Sequence, residues 1–338
     1  MICNYYYNKM RPWLLLTVSL LIAISRAQIA HQINKNKSYK ISEPIQGFDP
    51  SIPLYYEQFI PISYCRNVAI FANDDEQCCQ NEMASQGWKR VDTDQPTNED
   101  ITILKQKFKD ENYNYQILLN ERYNKILVLF PGTRNSAPQL FQEFIGLAMK
   151  AFSSDNSKVR VMKYFKELYS YLSNKVFNSL NRLLNSNLKY KRYQVIFEGH
   201  SLGGAISTLF AYEFARNHRN DNPNSPVLIT YGSPKVGNEA FKQSIDKLVP
   251  HIFRIVHYGD MVPKIPPNIF GSTFYHTKGH ALITKDRNTL YECNNNTKGI
   301  CKNVANNPFT VANNHLYYFY EDQRLTKECQ RAFRINIS

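Results

Sequence analysis

The sequence predicts an α/β domain in which a central, mostly parallel sheet is flanked by helices. Three observations predict it: short apolar runs rich in β-branched and aromatic residues, helix-period segments lying between them, and Gly-containing turns where the runs end. With 338 residues, 43% of them hydrophobic, the chain can bury a sizeable core in one large domain.

The elements follow in order. Gln28 to Pro61 is polar, Pro-containing and without a clean period, so residues 28–62 are expected to form an irregular leader, with one domain over 63–338. YQILL from Tyr115, the polar turn Asn120 to Asn124 and KILVLF form a hairpin; the second strand is apolar throughout, as in strands buried on both faces, and ends at Pro131-Gly132-Thr133. Ser136 to Phe152 places apolar side chains at 140, 141, 144, 145, 148, 149 and 152, one wide stripe on a helix. A second helical period runs from Val161 to Leu184. A strand over Tyr193 to Phe197 leads to Ser201 and then to a helix over Ala205 to Arg216, closed by an Asn, Asp and Pro loop from Asn217 to Pro226. VLITY (227–231) and HIFRIVHY (251–258) are two further strands. Ligands of such sheets gather at the carboxyl ends of the strands, and Thr133, Ser201, Ser233 and Asp260 all fall just past such ends.

The amino terminus predicts export. Lys9 and Arg11 precede the apolar run Trp13 to Ile24, and Ser25-Arg26-Ala27 supplies small residues for signal-peptide cleavage after Ala27. The run is shorter than a membrane span needs, so no transmembrane anchor is expected and the mature chain is expected to be secreted or lumenal. Cleavage removes Cys3 and three basic side chains, which lowers the formal charge from +13 to +10. Cys65, Cys78, Cys79, Cys293, Cys301 and Cys329 remain, an even set that suits disulfides in an oxidising compartment, though the sequence does not choose the pairing. Sequons at Asn36, Asn295 and Asn336 fit the same route. The positive charge concentrates between Lys150 and Arg192; a solvated helical face explains it, and attraction to an anionic lipid surface is the functional reading. No basic and aromatic recognition module accompanies it, so nucleic acid is not an expected partner.

The segment YQVIFEGHSLGGAIS runs a strand straight into a helix through one serine. Such a reversal strains the apex residue, and side chains two positions away on either side would collide with the neighbouring chain, which Gly199 and Gly203 avoid. Ser201 is therefore a candidate nucleophile on a strand-to-helix elbow; the bland reading is a Gly-rich turn with a buried serine. A hydroxyl needs a base and the base an orienting carboxylate, in chain order Ser, Asp or Glu, His. Asp260, after the strand 251–258, and His315, far downstream, satisfy that order. His200 is adjacent to the serine on the elbow and points elsewhere. His251 and His257 lie within a strand, His276 and His280 precede one, Asp246 reads as a helix-surface charge and Asp286 as a hairpin tip. The backbone N–H groups of Leu202 and of the Gly132-Thr133 turn, with the Thr133 hydroxyl, are the candidate oxyanion donors. No metal or cofactor is required by this chemistry.

FPGT (130–133), GHSLGGA (199–205), YGSPKVGN (231–238), RIVHYGDMVPKIPP (254–267) and NNHLYYF (313–319), in this order, resemble the class 3, fungal-type lipases, and SYC (63–65) resembles the start of that domain. The resemblance covers about Ser63 to Cys329. It implies an α/β-hydrolase fold that cleaves carboxylic esters of lipids at an oil–water or membrane interface through Ser201, Asp260 and His315, with Thr133 and Leu202 as the oxyanion hole. It implies that the helix over Ser136 to Phe152 is a lid; a plain core helix is the alternative. It also implies the pairs Cys293 with Cys301 and Cys65 with Cys329, leaving Cys78 and Cys79. Pro131 stands where the family often has Arg, and Val161-Met162-Lys163-Tyr164-Phe165 where it has V-H-x-G-F, departures that bear on the pocket wall rather than the triad. The resulting expectation is a secreted triacylglycerol lipase working through an acyl-enzyme. The alternatives are a phospholipase A1, a feruloyl-type esterase, or a catalytically silent lipid-surface binding protein.

Overall fold

The computed structural model describes residues 40–41, 51–64, 84, 86–93, 97–108, 113–133, 149–152, 157–218, 225–266, 273–279, 281–283, 289–292, 314–315 and 318. In chain order the elements are β1 (Lys40–Ile41), α1 (Ser51–Tyr56), a 3-10 turn (Glu57–Phe59), α2 (Ile60–Ser63), β2 (Trp88–Thr93), α3 (Asn98–Ile103) and a π-turn (Leu104–Phe108). Then come β3 (Gln116–Asn120), β4 (Lys125–Phe130), β5 (Met149–Ala151), β6 (Arg160–Met162), α4 (Lys163–Ser186) and β7 (Gln194–His200). The chain continues through α5 (Leu202–Asn217), β8 (Val227–Tyr231), α6 (Glu239–Leu248), β9 (His251–His257), β10 (Ala281–Ile283) and β11 (Thr289–Glu292).

Nine strands form one sheet in the order β1-β11-β10-β9-β8-β7-β4-β3-β2. The inner pairs β4/β7, β7/β8, β8/β9 and β9/β10 are parallel, whereas β2/β3, β3/β4 and β10/β11 are antiparallel. The expected hairpin is present with Asn120 opposite Lys125. Its turn is sharp enough to need Asn124 at φ 55°, a conformation Asn tolerates better than most side chains.

Because β4, β7, β8 and β9 succeed one another in a single direction, right-handed crossovers put α4, α5 and α6 on the same face. There Phe165, Leu168, Leu172, Val176 and Leu180 of α4 and Ile206, Leu209 and Phe210 of α5 pack on Ile126, Val128, Phe130, Val195 and Phe197. Phe210 stacks on Phe130 at 4.8 Å and 17°. Among the described residues the opposite face receives no crossover helix and would expose Leu118, Leu127, Leu129, Ile196 and Ile229. Residues 51–64 cover it with Tyr56, Phe59, Ile60, Ile62 and Tyr64.

This corrects the expectation of an irregular leader through residue 62. Pro53 and Pro61 hide the helical character, yet each sits in the first turn of a short helix, where a missing N–H costs little. Buried hydrogen bonds fasten the segment: the Gln116 amide donates to the Ile62 carbonyl at 2.6 Å and the Tyr231 hydroxyl to Pro53 at 2.5 Å.

A second correction concerns the helix expected from Ser136 to Phe152. Its end is a strand: Met149, Lys150 and Ala151 pair antiparallel with Met162, Val161 and Arg160, and residues 134–148 lie outside the described residues. The two strands of this side hairpin are three residues each, too short to show a period of two against the helical spacing around them. For the same reason α4 begins at Lys163 rather than Val161. Residues 1–27 and all six remaining cysteines (Cys65, Cys78, Cys79, Cys293, Cys301 and Cys329) also lie outside the described residues. Among the described residues no helix is long and apolar enough to cross a membrane.

Candidate active site

The parallel register places Phe130 opposite Gly199 and His200 opposite Tyr231, so the ends of β4, β7 and β8 converge. Ser201 follows β7 directly and caps α5 with φ 56° and ψ −123°, a conformation a non-glycine residue holds only when its surroundings over-determine it. The surroundings do so here. The Ser201 N–H donates to the Tyr231 carbonyl at 2.9 Å, and the Ser201 carbonyl accepts from Gly204 N–H at 3.0 Å. A Cβ on Gly199 would sit 2.3 Å from the Gly203 carbonyl, so the turn closes only with glycine at 199.

The Ser201 hydroxyl donates to His315 Nε2 at 2.8 Å, and His315 Nδ1–H donates to Asp260 Oδ2 at 2.9 Å. Asp260 is wholly buried in the turn after β9; its Oδ1 accepts from Val262 N–H at 2.8 Å and its Oδ2 from the Tyr318 hydroxyl. Three residues from well-separated parts of the chain thus form one hydrogen-bonded line, with Ser201 2% and His315 5% exposed. Burial, reinforced by the Asp260 charge and hydroxyl contact, pushes the Tyr318 phenol well above its ordinary range and keeps it a donor. Thr133, 8% exposed, ends the loop after β4, and Leu202 is the first residue of α5 beside Ser201.

The residues set aside on sequence grounds are engaged elsewhere. His251 is exposed at the start of β9, and His276 Nε2–H donates to the Pro263 carbonyl at 2.5 Å. Asp246 accepts from Lys242 on the surface of α6. His257 is buried in β9 with its ring 5.9 Å from that of Tyr318. His280 and Asp286 lie outside the described residues.

Sequence reasoning missed the support behind His315. His200 Nε2–H donates to the His315 main-chain carbonyl at 2.7 Å, while its Nδ1 accepts from the Tyr64 hydroxyl at 2.8 Å. The acceptor role of Nδ1 requires a neutral ring, and burial first, then the nearby His315, hold the His200 pKa well below 6.5. The only signals were positional: Tyr64 lies in SYC and Tyr318 in NNHLYYF, but a contact across 136 residues leaves no local pattern.

A serine at a strained strand-to-helix apex, joined to an imidazole and a buried carboxylate at the carboxyl end of a parallel sheet, defines the α/β-hydrolase fold. Residues 127–270 match the family profile described as Lipase (class 3). A Caenorhabditis elegans lipase is 33% identical over 150 residues, 44% of this chain and 40% of its own. A Rhizopus niveus lipase is 28% identical over 269 residues, 78% of this chain and 62% of its own. The chain therefore spans between 40% and 62% of the length of these relatives. A solved triacylglycerol lipase whose catalytic centre is formed by a serine protease triad aligns at TM-score 0.63 and 25% identity, over 81% of this chain and 95% of that one.

Proposed function

We propose that the chain is a carboxylic ester hydrolase of the triacylglycerol lipase kind, exported by a signal peptide and acting at a lipid–water interface. The observation that carries this reading is the unbroken hydrogen-bonded line from Ser201 through His315 to Asp260, held on a backbone conformation whose strain only a functional apex repays. Ser201 Oγ attacks the ester carbonyl as His315 Nε2 takes its proton; the Leu202 N–H and Thr133 donate to the oxyanion. The imidazolium then protonates the departing alcohol, and a water activated by the same ring cleaves the acyl-enzyme. Asp260 holds the Nδ1–H tautomer and offsets the imidazolium charge, while His200 fixes the main chain that carries the ring.

Fluorophosphonate labelling and substrate turnover test this. Ser201→Ala is expected to lose labelling and to slow ester cleavage by about 10⁶-fold, the scale seen when a serine nucleophile is removed. A Ser201→Ala protein that is folded and as active as the parent would overturn the assignment. A rate that jumps above the solubility limit of a triglyceride marks a lipase; faster turnover of phospholipid or of a dissolved feruloyl ester moves the substrate to one of those classes. Export is tested by sequencing the amino terminus of protein recovered from the medium, expected at Gln28.

A further inference from the structure

The amino-terminal end of α4 is built against its own stability. A helix start favours a capping side-chain acceptor and negative charge in its first turn. Here Met162 provides no side-chain cap, no acidic residue occupies the first turn, and the helix opens with Lys163 and Lys166. Two more lysines converge on this end, Lys107 from the π-turn and Lys150 from β5. Glu167 is the carboxylate among them. Its oxygens stand 3.9, 3.8 and 3.9 Å from the ammonium groups of Lys107, Lys150 and Lys163, beyond hydrogen-bonding distance. Among the described residues three ammonium groups thus share this one carboxylate, and Lys107, Lys150 and Glu167 line an open cleft of about 360 Å³ together with Ser170 and Tyr171.

The position of this cluster gives it meaning. A crossover helix runs antiparallel to the strands it joins, so α4, between β4 and β7, begins at their carboxyl ends. Main-chain bonds agree: Met162 N–H donates to the Val236 carbonyl at 3.0 Å, in the segment that leaves the end of β8. The four lysines therefore border the same end of the sheet as Ser201 and Asp260.

We infer that Lys107, Lys150 and Lys163 form a docking surface for anionic lipid headgroups, which sets the carboxyl end of the sheet against a negatively charged interface. Local self-repulsion without a structural gain is expected where a surface serves a partner. The chemistry favours an array of headgroups over one small anion. The side chains of Lys107, Lys150 and Lys163 are 52%, 51% and 48% exposed, flexible point charges without the planar fork that clasps a single phosphate. A sheet of headgroups meets all three at once, and each basic residue near such a surface strengthens binding about fivefold. The inference does not depend on ester hydrolysis, and its test uses no turnover.

The test is co-sedimentation of the full chain with vesicles of phosphatidylcholine alone or with about 30 mol% phosphatidylglycerol, at low and high salt. Preference for the anionic vesicles, weakened by salt, is expected. Lys150→Gln with Lys163→Gln is expected to weaken that binding about 25-fold. Lys191→Gln with Lys247→Gln, an equal loss of charge at exposed sites at the other end of the sheet, is expected to change it less than about threefold. Glu167→Gln, which removes the opposing charge, is expected to tighten binding and keeps the question answerable if the double variant does not fold. Equal binding to both vesicle types, an equal loss in both double variants, or no tightening in Glu167→Gln overturns the inference. So does displacement by millimolar inorganic phosphate at constant ionic strength, which would mark a site for the free ion.

Discussion

Glu198 sits in β7, three residues before Ser201, fully buried, and neither carboxylate oxygen has a hydrogen-bond partner among the described residues. Burial first, and then the charge of Glu57, hold its pKa well above 4.5, so the folded state keeps a proton that the unfolded chain releases. The sign follows from linkage. This acid contributes nothing adverse below about pH 4.5, and above it the folded state loses stability at about 1.4 kcal/mol per pH unit, until the folded-state pKa is reached. Glu198→Gln keeps the shape and carries no proton to hold. Its amide brings two donors to a position where the carboxylate makes no hydrogen bond among the described residues, a constant cost of about 1–3 kcal/mol that shifts the level of stability but not its slope. His200 works in the opposite sense: its lowered pKa gives stability present above about pH 6.5 and lost on acidification, but both proteins share it and it cancels in their difference. Urea unfolding of both proteins between about pH 5 and pH 7 is expected to show the variant gaining stability relative to the parent as the pH rises. Parallel stability curves would mean that Glu198 is ionised or solvated in the folded protein, and the reasoning fails.

Two further substitutions probe the support of the site. Gly203→Ala would place a Cβ 2.1 Å from the Phe130 carbonyl oxygen and 2.6 Å from that of Pro131, main-chain atoms that cannot yield without moving the end of β4. A loss of at least about 1–3 kcal/mol in thermal unfolding is expected, with a fall in ester cleavage because Thr133 moves too; an unchanged melting temperature contradicts the packing. Tyr64→Phe leaves His200 Nδ1 a buried acceptor without its donor, an expected cost of about 1–3 kcal/mol. The freed tautomer loosens the hold on the His315 main chain, so kcat is expected to fall while KM stays near the parent value, and a change confined to KM counts against the positioning role.

What could be read from the chain divides along a physical line. The meeting of Ser201, Asp260 and His315 was legible because a sharp strand-to-helix turn is a local steric problem with one economical solution, and because the order of the three residues follows from the order of the strands. β4, β7, β8 and β9 were legible because strands buried on both faces must be apolar at every position. Residues 51–63 were not, since their helicity answers a vacancy created by strands far along the chain and their own period is broken by two prolines. The β5/β6 hairpin was hidden for a related reason: three-residue strands take their identity from the partner across the turn.

The same division explains how the site is stabilised. The elbow itself stores strain, and its glycines remove clashes without adding attraction. The compensating contacts come from the opposite face of the sheet, where residues 51–64 bury aromatic side chains over β3, β4, β7 and β8 and where Tyr64 reaches His200. His200 and Glu198 both point into that layer because side chains alternate along β7, so its polar groups lie directly behind Ser201. The covering segment therefore does more than close a core. By supplying the donor to His200 Nδ1, Tyr64 at its end selects the tautomer whose Nε2–H holds the His315 carbonyl, which ties the main chain behind the Ser201–His315 bond to the covering segment.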